Sequence, residues 1–93
     1  MKTSPVDRRT EPRQPAQGDI RLRQTGVAAA PFVGSLVDLS PQGFRARHCC
    51  LALASGDRVD FEFQGRSGAA RAMWTRIVDR EAETGFNILR EAR

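Results

Sequence analysis

Apolar and polar residues alternate with a period of two along most of this 93-residue chain. In "GDIRLRQ", residues 18–24, Ile20 and Leu22 alternate with Asp19, Arg21 and Arg23. In "GDRVDFEFQG", residues 56–65, Val59, Phe61 and Phe63 alternate with Arg58, Asp60, Glu62 and Gln64. "GFRARH" sets Phe44, Ala46 and His48 against Arg45 and Arg47, and "FVGSLV", "ARAMWTRIVD" and "GFNILR" add further strand-like runs. Alternation of this kind marks half-buried strands, and no window of helical length shows a three-to-four spacing of apolar residues. Short strands separated by turn signals every 8–12 residues or so predict an all-β domain, an antiparallel barrel or a sandwich. Closure favours the barrel, because a sheet this small would otherwise expose its edges. "QTGVAAAPF", residues 24–32, is the longest weakly patterned connection.

The strand "FVGSLV" runs into "DLSPQG", residues 38–43. These residue types make a surface turn: Asp and Ser bond back to nearby amides, Pro fixes its φ, and Gly supplies conformational freedom. As turn formers, Asp38 and Ser40 would be replaceable at little cost to the fold. The first seventeen residues read differently, with Pro5, Pro12 and Pro15, many charges and hardly an apolar side chain. A segment that can bury so little predicts a flexible arm over 1–17, ahead of a barrel over 18–90 and a short tail over 91–93.

Composition adds charge. Of 15 basic residues only Lys2 is a lysine, so the net charge of +4 is almost wholly arginine. Arginine's planar fork matches phosphates and purine edges, which points to an anionic partner. No apolar run is long enough to span a bilayer, and the first residues lack the apolar core of a secretory signal, so a cytoplasmic location is expected. Cys49 and Cys50 are neighbours on a strand-like run, which disfavours a disulfide between them, and His48 is the only histidine. One cysteine is expected to pack inside and the other to remain a reduced surface thiol; no metal site is expected.

Two motifs then stand in order. "RTEPR" carries Arg9 and Arg13 four residues apart on the arm, and "DLSPQG" carries Asp38, Ser40 and Gly43 after a strand. With these the chain resembles the PilZ domains, bacterial receptors for cyclic di-GMP, whose signature is Arg-x-x-x-Arg followed by Asp/Asn-x-Ser-x-x-Gly. The resemblance extends over about 8–90 through Gly56-Asp-Arg-Val59, Ala72-Met-Trp74 and Gly85-Phe86. It implies a six-stranded antiparallel barrel, here with little or no helix after the last strand. The missing helix would leave an apolar barrel face open to a partner or a second copy. It also implies cyclic di-GMP as ligand, with Arg8, Arg9, Arg13, Asp38, Ser40 and Gly43 as its binding residues and Trp74 as a further stacking candidate.

The residue chemistry suits that ligand. Arginine forks reach the O6 and N7 of guanine and the phosphates, and a carboxylate accepts from guanine N1–H and its amine. Ser40 can donate to a phosphate, and Gly43 admits close approach of the backbone. Three arginines on one arm favour an intercalated pair of ligands. No nucleophile, base and orienting group assemble, so an enzyme is not expected. With no output module in these residues, signalling would pass to a separate protein effector. Two other readings stay open: a PilZ-like module that binds a protein without nucleotide, and a basic barrel for single-stranded nucleic acid. The second is disfavoured by an aromatic content of only 6%.

Overall fold

The computed structural model describes residues 13–26 and 30–92. Seven strands form in chain order: β1 Gln14–Pro15, β2 Asp19–Gln24, β3 Phe32–Ser40, β4 Gly43–His48, β5 Arg58–Phe63, β6 Arg66–Val78 and β7 Glu81–Glu91. All pairings are antiparallel. The neighbours run β3, β2, β5, β6, β7, β4, and β4 pairs back to β3, so six strands close a barrel. β1 is the additional strand. Among the described residues there is no helix, β7 runs to Glu91, and nothing is long and apolar enough to cross a membrane as a helix.

Alternation places the core as the sequence predicts. Ile20, Leu22, Val59, Phe61, Phe63, Phe44, Ala46 and Phe86 are all buried. Phe44 sits centrally, its ring 4.9 Å from Phe86, 5.2 Å from Phe61 and 5.5 Å from Phe63. Offset and tilted rings at such distances add attraction beyond the area they bury. Cys50 packs partly against this core and Cys49 is exposed; both are free thiols. His48 faces inward too, its Nε2 2.8 Å from the Thr84 hydroxyl, which lies 2.8 Å from Thr75 Oγ1. Its Nδ1 accepts from the Cys50 amide at 3.2 Å, so Nε2 carries the proton. Burial holds the imidazole below its ordinary value near 6.5, with Glu81 acting weakly the other way.

Of three register shifts in the barrel, one falls at Leu89 on β7 and the other two shape the outer face near the motif residues. On β3, Leu36 pairs with Ala46 and Asp38 with Arg45, so Val37 is an extra residue. On β6, Ala72 pairs with Phe86 and Trp74 with Gly85, so Met73 is extra. Each bulge resets which side of the sheet the following residues take. Leu39 therefore faces the core beside Phe44, while Asp38 and Ser40 turn outward; Trp74 likewise turns outward.

The reading of 13–17 as free arm needs correction. Gln14 and Pro15 pair with Leu39 and Asp38, the Ala16 amide donates to the Val37 carbonyl at 3.0 Å, and the Leu36 amide donates to Gly18 at 2.9 Å. Residues 14–22 thus run along one edge of β3, interrupted where β3 bulges. A two-residue edge strand tolerates Pro15, which has no amide to give. The rest of the segment read as an arm lies outside the described residues.

Candidate functional site

Cross-strand register lays the outward side chains out in rows. One row reads Asp38, Arg45, Gly85, Trp74 across β3, β4, β7 and β6. The next reads Ser40, Gly43, Asn87, Arg71, Arg58 and continues onto β5. A third holds Arg47, Glu83 and Arg76. Between the first two rows lies a cleft of about 330 Å³ lined by Arg13, Ser40, Gln42, Gly43, Met73, Trp74, Gly85, Phe86 and Asn87.

Four of the sequence-predicted residues, Arg13, Ser40, Gly43 and Trp74, therefore meet in one place. Arg8 and Arg9 lie outside the described residues. Trp74 forms one wall. Its indole rests on Gly85, where a Cβ would come within 2.5 Å of Trp74 Cε2, and the Arg76 guanidinium carbon lies 5.9 Å from the ring centroid. Trp74 is 38% exposed, so the residue is not sealed into the fold.

Asp38 and Ser40 are not surface-turn residues. Both belong to β3, they are only 6% and 8% exposed, and the turn proper is Pro41-Gln42. The bulge at Val37 breaks the alternation that sequence reading follows, so the pattern stops three residues before the strand does. Asp38 is covered by arginines. Arg13 donates from NH1 to Oδ1 at 2.8 Å, Arg45 donates from Nε to Oδ2 at 2.9 Å, and Arg45 NH2 also reaches Oδ2. Each carboxylate oxygen thus has an arginine of its own.

Gly43 has a different reason for being glycine than ligand approach alone. A Cβ there would overlap the Phe86 carbonyl oxygen, so β4 and β7 can come this close only without one. The Ser40 hydroxyl donates to the Gly43 carbonyl at 3.4 Å, a long bond that leaves it open to a better acceptor.

Arg45, Arg47 and Arg76, all on the outer face, converge on Glu83. That carboxylate is 3% exposed, with Arg76 at 3.3 Å, Arg45 at 3.4 Å and Arg47 at 3.8 Å. Arg45 bridges Asp38 and Glu83, tying the first and third rows together. Gln42 and Asn87, which add amides to the cleft, were missed as well. Only the outward alternation of Arg45 and Arg47 in "GFRARH" hinted at this face.

A larger cleft of about 410 Å³ lies over β2, β5 and β6, lined in part by Arg21, Arg23, Asp60 and Glu62. Its charges cancel across strands, Arg21 opposite Glu62 and Arg23 opposite Asp60, and it holds none of the motif residues. The smaller cleft is the stronger candidate because it gathers four motif residues, and its one charged lining residue, Arg13, stands among glycine, amide and indole groups with no acid in the lining. Among the described residues no group of His, Cys, Asp and Glu side chains could hold a metal ion. No family model and no curated protein matches this chain.

Proposed function

We propose that the protein is a PilZ-type receptor for cyclic di-GMP, which binds at the Trp74 cleft. The observation carrying this reading is the meeting of Arg13, Ser40, Gly43 and Trp74, drawn from three separate stretches of sequence, around one opening of ligand size. Asp38 stands behind Arg13 as its ion-pair partner.

Binding then works by exchange of partners. A guanine that offers N1–H and its amine to Asp38 takes the place of an arginine, and Arg13 is the better one to yield, since it lies just ahead of a two-residue edge strand whereas Arg45 lies within β4. Released, its fork turns to a phosphate or to O6 and N7 of the base. Arg8 and Arg9 supply further forks, enough to hold an intercalated pair of ligands. The second guanine face stacks on Trp74. Rearrangement of the residues before β2 presents a changed surface to a protein effector in the cytoplasm.

Calorimetric titration with cyclic di-GMP, GTP and a short single-stranded oligonucleotide tests the proposal. Saturable binding of the cyclic dinucleotide alone is the expected result. Preference for the oligonucleotide would move the protein to the nucleic-acid class, and no heat with any of the three would leave a protein-binding module.

A further inference from the structure

The row that begins with Ser40, Gly43 and Asn87 does not stop at the edge of the cleft. It continues through Arg71 on β6 to Arg58 on β5, and these two arginines stand directly opposite one another. Both are exposed, and among the described residues neither forms an ion pair. Like charges placed directly across an antiparallel pair repel. Elsewhere this face avoids the arrangement: Arg21 is opposite Glu62, Arg23 opposite Asp60, and Arg47 and Arg76 are both opposite Glu83. The exception adjoins the cleft. Strands about 4.8 Å apart put Arg71 one strand, and Arg58 two strands, beyond Asn87.

We infer that Arg58 and Arg71 form a phosphate subsite that extends the Trp74 cleft across β6 to β5. An anion between them relieves their repulsion and receives two forks of donors, while the base of the same nucleotide lies beside Trp74 and Asn87. This rests on the nucleotide reading of the cleft and adds to it two residues outside both sequence motifs. It also explains why a repelling pair is kept on a face where Arg21, Arg23, Arg47 and Arg76 each stand opposite an acid.

The test compares wild type with Arg58→Ala, Arg71→Ala, Arg71→Lys and, as a charge-matched control, Arg80→Ala on the hairpin turn. Each is titrated with cyclic di-GMP at two salt concentrations, and its thermal midpoint is measured with and without inorganic pyrophosphate. Arg58→Ala and Arg71→Ala should each weaken cyclic di-GMP binding by about tenfold and flatten its salt dependence, as expected for a lost phosphate contact. Arg71→Lys should fall between, and Arg80→Ala should bind as wild type. The unliganded midpoints of the two alanine variants should equal or exceed that of wild type, because the repulsion is gone. Wild-type affinity in both alanine variants, or an equal loss in Arg80→Ala, overturns the subsite. If wild type itself does not bind cyclic di-GMP, the nucleotide reading fails and pyrophosphate decides the subsite separately. A midpoint raised by pyrophosphate in wild type but not in the two alanine variants supports it; no rise, or the same rise in all, overturns it.

Discussion

Replacing Asp38 with alanine should destabilise the free protein, contrary to what a surface-turn residue would do. The carboxylate is 6% exposed and is held by Arg13 at 2.8 Å and by Arg45 Nε at 2.9 Å. Hydrogen bonds to charged groups contribute roughly 1.5–3 kcal/mol when both partners are sheltered. Here the two arginine side chains are 34% and 31% exposed, which pulls each contact toward the surface value of at most about 1 kcal/mol. Loss of the acid also strands no cation, since Arg45 keeps Glu83 at 3.4 Å and Arg13 can turn to water. The loss should therefore fall short of the ~3–5 kcal/mol typical of a broken buried pair and come to about 2 kcal/mol. For a domain of this size that lowers Tm by roughly 8–16 °C. Thermal unfolding followed by circular dichroism, on Asp38→Ala, Arg13→Ala and the double variant, gives both the total and the Arg13–Asp38 coupling. A midpoint for Asp38→Ala within about 2 °C of wild type would refute the reasoning, since that is well below the shift expected from two lost arginine contacts.

Three further outcomes follow from particular contacts. Arg13→Ala should weaken cyclic di-GMP binding by about 1.5–3 kcal/mol in calorimetry, and unchanged affinity would remove Arg13 from the site. Gly43→Ala should cost about 1–3 kcal/mol in chemical denaturation, because its methyl group meets the Phe86 backbone carbonyl, which cannot swing aside. His48 should make stability depend on pH: its folded value is depressed, so the unfolded chain takes up protons that the folded chain refuses as pH falls below about 6.5. Stability is thus fully present above that pH and is lost below it, by at most about 1.4 kcal/mol per pH unit from this group. Denaturation of wild type and His48→Gln at several pH values should show the slope in the first and a flatter line in the second.

The barrel strands were legible because each of β2, β4 and β5 keeps strict alternation from end to end, with Ile20 and Leu22, Phe44 and Ala46, and Val59, Phe61 and Phe63 inside. β3 was legible only as far as its bulge. Past Val37 the chain still pairs with β4, yet Asp38, Leu39 and Ser40 no longer fit the pattern set by Phe32 to Leu36, and a turn was the natural reading. That Asp38 and Ser40 belong near Arg13 and Trp74 was implied by the resemblance of the paired motifs to a known family and not by periodicity. Glu83 was not legible at all. It lies in the charge-rich "REAETG", where nothing local tells a solvated acid from one covered by arginines of β4 and β6. Its burial is a property of register, as is the facing of Arg58 and Arg71. Single-strand patterns carry faces; they do not carry which residue of the next strand lies alongside.

The indole seated on Gly85 has a practical consequence of an optical kind. The chain contains one tryptophan and no tyrosine, so near-ultraviolet emission excited at the indole band arises from a single known position. That position is the wall of the cleft, partly open to water and with a guanidinium 5.9 Å from the ring centre. Emission colour and intensity there report the wetness and charge of one surface a few ångströms across, with no background from elsewhere in the fold. The protein carries its own label at the place where a label is wanted, and no dye or engineered residue need disturb it.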